Sequence, residues 1–359
     1  IAKKTQLMKE AQELLRKWEK GDEEVRKIWA MMNNWVYEGF DKTYKHLDIT
    51  FDKIYYESDI YNKGKTIVEE AFLKNIFGKK EDGSIYVDLS EYNLDEKILL
   101  RADGTSVYIT QDIGVAYERY HEYTPDRMIY VVGNEQNYHF EVLKTILKNK
   151  LNQKWADIIY HYSYGMVELP EGKMKSREGK VVDADDLIEE MMIRAEERTK
   201  LLGKTEDLPP EQLYKLYFII AIGAIKYYIL KVAPEKNIMF NPEESIDFDG
   251  NTAPFIQYTY ARIQSVLRKA KETNNDYFID NVNENIDVND KEKELLINIY
   301  LFSKILNEAI DSLSPNMIAN YIYELAKLYN QYYHDYSILK AGSDDLIKYR
   351  LLISKLIGN

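Results

Sequence analysis

The stretch Arg127-Met-Ile-Tyr-Val-Val-Gly-Asn-Glu-Gln-Asn-Tyr-His-Phe140 decides the fold. Arg127 to Val132 is a short, largely apolar run, rich in β-branched residues, of the kind that forms a buried strand. Gly133 ends it. Tyr138 to Lys148 then carries helical spacing, and Asp157-Ile-Ile-Tyr-His-Tyr162 reads as a second strand. A strand, a helix and a further strand at these lengths predict a parallel β-α-β unit, hence an α/β architecture. Ligands of such sheets gather at the strand C-terminal ends, where a helix N-terminus also favours an anion.

Outward from this unit the pattern continues. Upstream, Ser106-Val-Tyr-Ile-Thr110 is strand-like and Gln111 to Tyr120 is helical, with Thr110 placed as a natural N-cap. Ile49 to Tyr56 alternates like a strand. Ile85 to Leu89 reads as another, after the turn signal Glu81-Asp-Gly-Ser84. Ala11 to Trp18 and Val25 to Met32 repeat apolar residues at helical spacing, separated by Gly21-Asp22. Downstream of about Asp185 strand-like runs nearly vanish. Helices are predicted over Asp186–Leu202, Pro210–Val232, Thr252–Glu272, Asp290–Leu313, Pro315–Tyr333 and Asp344–Ile357, punctuated by prolines suited to first-turn positions. The organisation expected is α/β over 1–185 followed by an all-α bundle over 186–359. Asn-rich Asn274 to Asn289 is expected to be a loop.

Composition narrows the classes of function. The chain has 359 residues and no cysteine, which removes disulfides, thiolate metal sites and cysteine nucleophiles. Its net charge is −12, so any nucleic acid must be met by local basic patches rather than by a global field. The most apolar stretch, Leu216 to Val232, is broken by Lys226 and reads as a buried helix rather than a membrane span. The polar, amphipathic opening Ile1-Ala-Lys-Lys is not expected to act as a signal peptide. A phosphate-binding loop is also missing, because Ser84 stands where Gly78 and Gly83 would require Lys.

Four runs carry candidate chemistry. Gly172-Lys-Met-Lys-Ser-Arg-Glu-Gly-Lys180 crowds cations that could neutralise a departing polyphosphate, although taken alone such a run is ordinarily a solvated turn. In Ala102-Asp-Gly-Thr-Ser-Val-Tyr-Ile-Thr-Gln-Asp-Ile113, Tyr108 and Asp112 offer a phenol and a carboxylate suited to a guanidinium; Asp112 could equally be helix-start chemistry. Tyr130 to Phe140 brings Gln136 and His139 to a strand-to-helix turn. In Phe248-Asp-Gly-Asn-Thr-Ala-Pro-Phe-Ile-Gln-Tyr-Thr-Tyr-Ala-Arg-Ile263, the aromatics Phe255, Tyr258 and Tyr260 could stack unpaired bases, and Arg262 could reach phosphate.

These runs, in this order, resemble the arginyl-tRNA synthetases of class I. Lys173-Met-Lys-Ser-Arg177 resembles a degenerate Lys-Met-Ser-Lys-Ser signature, the Asp103 to Asp112 run resembles the family's Asp-Gly-Thr-Ser-x-Tyr-x-Thr-Arg-Asp, and Gly133 to Phe140 resembles Gly-x-Glu-Gln-x-x-His-Phe. Gln111 departs from the family's usual Arg. The resemblance implies that Tyr108, Asp112 and Gln136 meet substrate arginine. It implies Gly133, His139, Met166, Lys173, Met174 and Ser176 for ATP, with Lys173, Lys175 or Arg177 as the working cation. It implies tRNA(Arg) along Phe255, Tyr258, Tyr260 and Arg262 of an anticodon-binding helical domain. ATP as substrate, Mg2+ accompanying it, no protein-bound metal, a monomer and a cytoplasmic location follow as expectations. The family's His-x-Gly-His signature is absent, since no two of His46, His121, His139, His161 and His334 are three apart. The chain is therefore expected to be a C-terminal part of a longer enzyme, inactive alone. A non-catalytic tRNA-binding module and another class I synthetase, such as a cysteinyl relative, remain as alternatives.

Overall fold

Two helices, α1 (Ala2–Glu19) and α2 (Glu23–His46), open the computed structural model, which describes residues 2–168, 183–201, 203, 208–272 and 286–359. Gly21 turns between them at φ +85°, a conformation that costs glycine little. Asp22 then caps α2 by accepting from the Val25 N–H at 3.1 Å. The chain divides into two compact units, Ile1–Tyr164 and Gly165–Asn359.

In the first unit, residues 49–56 run without strand pairing, unlike the alternation that predicts a strand there. Alternation supplies a two-faced strand only if an edge is available to pair with, and none of the described strands pairs with this segment. Helix α3 (Glu57–Leu73) follows. Strands β1 (Gly78–Lys79), β2 (Ile85–Val87) and β3 (Lys97–Leu100) form an antiparallel sheet in that order, with the predicted Asp82-Gly83 turn between the first two. Gly83 takes φ +94°, and the Asp82 carboxylate accepts from the Ser84 backbone at 2.9 Å and hydroxyl at 2.7 Å.

Helix α4 (Tyr108–Tyr123) corrects a second expectation. Residues 106–110 form no strand; Ser106 makes a single antiparallel bridge to Leu100, and the helix starts at Tyr108. Thr110 is not a cap. It is fully buried inside the helix, and its hydroxyl donates to the Leu99 carbonyl. The β propensity of Tyr-Ile-Thr loses here to burial of Ile109, Thr110 and Ile113 on one helical face. Tyr108 and Asp112 consequently lie one helical turn apart rather than at the end of a strand. Helix α4 packs on α3 through paired glycines: a Cβ on Gly64 would come within 1.9 Å of the Thr110 carbonyl oxygen, and one on Gly114 within 2.6 Å of the Gly64 nitrogen.

The β-α-β unit forms as the opening stretch predicts. Strand β4 (Met128–Gly133) leads through a short 3-10 turn into α5 (Asn137–Thr145), which extends as a π turn over Ile146–Lys150. Strand β5 (Ile159–Tyr164) pairs with β4 in parallel, Met128 facing Ile159 and Gly133 facing Tyr164. The run is less buried than its composition suggests: Ile129 and Val131 remain exposed on one face. The other side supports the core, where Val142, Leu143, Ile146 and Leu147 pack with Val68, Leu99 and Ile113. Each such side chain, fully buried, contributes about 1.5–3 kcal/mol.

The second unit begins with a short parallel pair, β6 (Val167–Glu168) and the later β7 (Ile238–Met239). Between them lie α6 (Ala184–Leu201) and α7 (Pro210–Leu230), which pack together. By length and composition α7 is apolar enough to cross a membrane, against the expectation that Lys226 would interrupt it. It buries Tyr217, Ile220, Ala221, Ala224 and Ile225 within this unit. Next comes the short α8 (Pro242–Ser245), which no predicted span covers, and then α9 (Ala253–Glu272), α10 (Asp290–Ser312), α11 (Pro315–Asp335) and α12 (Asp344–Ile357), these four within about two residues of the spans predicted. Their core is built on Ile263, Val266, Leu295, Tyr329, Tyr332, Leu351 and Ile353.

Candidate active site

The C-terminal end of β4 organises the first unit's polar residues. Gly133 closes the strand at φ −59°, and the turn Asn134–Gln136 leads straight into α5. Gln136 is exposed in that turn. Three residues on, His139 projects from the first turn of α5 toward α4, where its Nε2 lies 2.6 Å from Asp112 Oδ2. A carboxylate only accepts, so Nε2 carries the proton and donates. The two residues are 27 apart in sequence and were expected on opposite substrates, Asp112 for arginine and His139 for ATP; the fold joins them.

The surroundings of the pair are aromatic. Phe140 stacks on His161 with ring centroids 4.2 Å apart and packs against Tyr130 at 5.1 Å. His161 Nε2 sits 2.9 Å from the Val132 carbonyl oxygen across the β4–β5 ladder. Two turns beyond Asp112 on the same face of α4, Arg119 lies between the Tyr55 and Tyr130 rings, 5.4 and 5.3 Å from their centroids. Burial raises the Tyr130 phenol above its ordinary value, while Arg119 opposes that rise. Arg119 is a residue the sequence reading missed, although its spacing of seven from Asp112 is the signal that puts it on this face.

Tyr108 shares that face of α4 at the start of the helix, and its side chain is 78% exposed. With Gln111 it lines a cavity of about 480 Å³, whose walls include Trp18, Trp29, Tyr61 and Arg101. Trp18 Nε1, Ser106 Oγ and Gln111 Oε1 on these walls are buried with no hydrogen-bond partner among the described residues. Arg101 Nη1 donates to the Thr105 hydroxyl and the Ser106 carbonyl, closing the Asp103-Gly-Thr turn beneath the helix start.

The cationic run Lys173, Met174, Lys175, Ser176 and Arg177 lies outside the described residues. Met166, just before it, belongs to the second unit. Its backbone N–H donates to Asn237 Oδ1 at 2.9 Å and its carbonyl accepts from Ile238 at 2.8 Å, beside the β6–β7 pair.

On α9, the candidate nucleic-acid residues divide. Arg262 is held in place: its guanidinium sits over the rings of Tyr258 and Tyr333, 4.9 and 5.0 Å from their centroids, and donates to Asn330 Oδ1. Asn330 in turn donates to the Thr259 hydroxyl at 2.7 Å. Phe255 packs on Tyr323 at 5.5 Å. Tyr260 is 54% exposed and lines an apolar groove with Ile256, Ile263, Phe302 and Tyr321. Tyr333 and Asn330 were not singled out from the sequence, because no local spacing marks residues of α11 that clamp a residue of α9.

A parallel β-α-β unit with a polar cluster at its strand ends, followed by a helical bundle, is the arrangement of a class I aminoacyl-tRNA synthetase. The comparisons agree. A family model described as "tRNA synthetases class I (R), catalytic domain" matches residues 1–241, and one described as "DALR anticodon binding domain" matches 256–359. The chain belongs to the arginyl-tRNA synthetase family. It is 56% identical over 348 residues to the arginine–tRNA ligase of Bacteroides thetaiotaomicron, covering 97% of this chain and 58% of that protein. The Parabacteroides distasonis arginine–tRNA ligase matches with the same identity and coverage. The arginyl-tRNA synthetase of Plasmodium falciparum shares the fold at a TM-score of 0.77 and 22% identity, over 99% of this chain and 59% of that one. That of Thermus thermophilus does so at 0.72 and 21%, over 96% of this chain and 66% of that one. The chain thus spans a little under three fifths of the length of the two bacterial ligases it matches.

Proposed function

We propose that this chain forms part of an arginine–tRNA ligase, carrying the amino-acid side of the adenylation site and the tRNA-binding helices. Arginine's α-carboxylate attacks the α-phosphorus of ATP, pyrophosphate leaves, and arginyl-adenylate forms. A hydroxyl of the tRNA terminal ribose then attacks the acyl carbon and AMP leaves. Tyr108 and Asp112 meet the guanidinium, because a carboxylate and a phenol on one helical face suit a planar cation. Gln136, exposed at the strand end, serves the α-ammonium side. Gly133, Met166, Met174, Ser176 and the cations Lys173, Lys175 and Arg177 serve ATP, neutralising charge as pyrophosphate departs. Mg2+ comes with ATP as part of that substrate. Residues 1–185 act as the second half of the catalytic domain. Residues 186–359 act as the tRNA-binding part, with Phe255, Tyr258, Tyr260 and Arg262 facing tRNA(Arg). The whole enzyme works as a cytoplasmic monomer without membrane attachment.

The observation that carries this reading is the placing of Tyr108 and Asp112 on one face of α4, with Asp112 held beside the C-terminal end of β4. The test is aminoacylation by the full-length gene product with ATP, tRNA(Arg) and each amino acid in turn. Arginine alone should be charged, and Asp112→Ala should reduce kcat/KM for arginine by about 10²-fold or more. Charging of cysteine would point to the cysteinyl alternative, and tRNA binding with no charging of any amino acid would favour a non-catalytic module.

A further inference from the structure

We propose that His139 is a positioning residue for amino-acid recognition: it fixes one oxygen of Asp112 so that the other is presented to the substrate guanidinium. The inference rests on reading Tyr108 and Asp112 as the arginine subsite, and it moves His139 from the ATP side to the amino-acid side. His139 Nε2 lies 2.6 Å from Asp112 Oδ2, while Asp112 Oδ1 has no hydrogen-bond partner among the described residues. The Asp112 side chain is 39% exposed and that of His139 27%, so the pair stands at the surface of the site rather than within the core. Both come from elements that cannot readily shift. Helix α4 is locked to α3 by the Gly64–Gly114 contact. The first turn of α5 is pinned by Phe140 between Tyr130 and His161. An aspartate on an open helical face would otherwise sample several rotamers; a donor on a rigid neighbour selects one, and the ordering is complete before substrate arrives.

The choice of donor matters as well as its place. The imidazole engages Asp112 through the single ring nitrogen Nε2 and leaves Oδ1 open. A fixed cation at the same point would compete with the guanidinium for the carboxylate. Arg119, the nearest cation along this face of α4, is held between Tyr55 and Tyr130 and makes no ion pair with Asp112 among the described residues. Asp112 therefore pairs with no lysine or arginine among the described residues. Tyr108, four residues before Asp112, lies on the same face of α4 and is exposed.

The experiment is steady-state aminoacylation by the full-length gene product, varying arginine and ATP separately. His139→Gln, which can place an N–H near the Nε2 position, should keep KM for arginine within about threefold of wild type. His139→Asn and His139→Ala, which cannot reach Asp112, should raise it by about tenfold, the value of one charge-assisted hydrogen bond. His139→Lys should be worse than His139→Ala. KM for ATP should stay within about twofold throughout. Should the alanine variant fail to fold, the Gln and Asn pair still decides, since a role in packing alone would treat these two amides alike. An elevated KM for ATP with unchanged KM for arginine would overturn the proposal, as would equal behaviour of Gln and Asn. Asp112→Ala separates the two levels: if it leaves KM for arginine unchanged, the subsite reading fails; if it raises KM while the His139 variants do not, only the positioning role fails.

Discussion

Gly64 sets how α4 lies on α3, and through α4 it sets where Tyr108 and Asp112 stand. A methyl at Gly64 has no room before the Thr110 carbonyl, which is fixed backbone. Gly64→Ala should therefore push the helices apart and lower stability by about 2–3 kcal/mol, read as a drop in urea midpoint at unchanged m. The same displacement should weaken arginine binding, although Gly64 touches no substrate. Asp103 acts just upstream. Its carboxylate accepts from the Thr105 hydroxyl at 2.8 Å and N–H at 3.1 Å, and these bonds hold it below the usual carboxylate range. A carboxyl whose folded value is lowered stabilises the fold above the unfolded value of about 3.9, and that contribution is lost as pH falls through the folded value. Asp103→Ala should cost on the order of 1 kcal/mol at pH 7, discounted for the exposure of the group, with the gap to wild type closing only below about pH 4. Urea midpoints at pH 7, 4 and 3 check it.

Among the elements, α10 and α12 are joined by a buried charge pair. Glu292 is fully buried at the third position of α10, where it completes a capping box with Asn289. It also accepts from Arg350 Nε at 2.9 Å and from the Tyr332 hydroxyl at 3.0 Å, and Arg350 donates on to the Ser337 carbonyl at 2.7 Å. Burial beside Glu292 raises the Tyr332 phenol well above its ordinary value. One carboxylate thus ties together a helix start, α11 and α12. Arg350→Met should strand Glu292 and cost about 3–5 kcal/mol, whereas the paired change Glu292→Leu with Arg350→Met should cost less than the single one. A double-mutant cycle by chemical denaturation gives the coupling. Asn289-Asp-Lys-Glu292 reads as a helix start from sequence alone. That its glutamate also meets Arg350, 58 residues on, needs α12 folded back over the start of α10.

For the whole molecule, a net charge of −12 means that any RNA would have to be met by a local surface. Arg262, already ordered between Tyr258 and Tyr333, loses little freedom on meeting a phosphate. Arg262→Ala should weaken tRNA(Arg) binding by about tenfold and lower the slope of log K against log salt by about one; a gel-shift titration at several salt concentrations measures both. An unchanged slope would mean that Arg262 only braces Tyr258 and Tyr333.

Local pattern determined a large part of this protein. The β-α-β unit, the helices after Asp185 and the Asp82-Gly83 turn follow from apolar spacing and turn chemistry, which depend only on neighbours in the chain. Candidate residues were legible too, because Tyr108, Asp112, Gln136, His139 and Arg262 stand in runs of recognisable order. What tertiary structure decided was which of them meet, and in what conformation. Tyr-Ile-Thr110 has strand propensity and became a helix because Ile109, Thr110 and Ile113 had a core to enter. Ile49 to Tyr56 alternates and found no strand to pair with. His139 reached Asp112, and Tyr333 reached Arg262, across 27 and 71 residues. Such meetings depend on how whole helices pack, and packing is settled by summed contacts between distant segments that no local window contains.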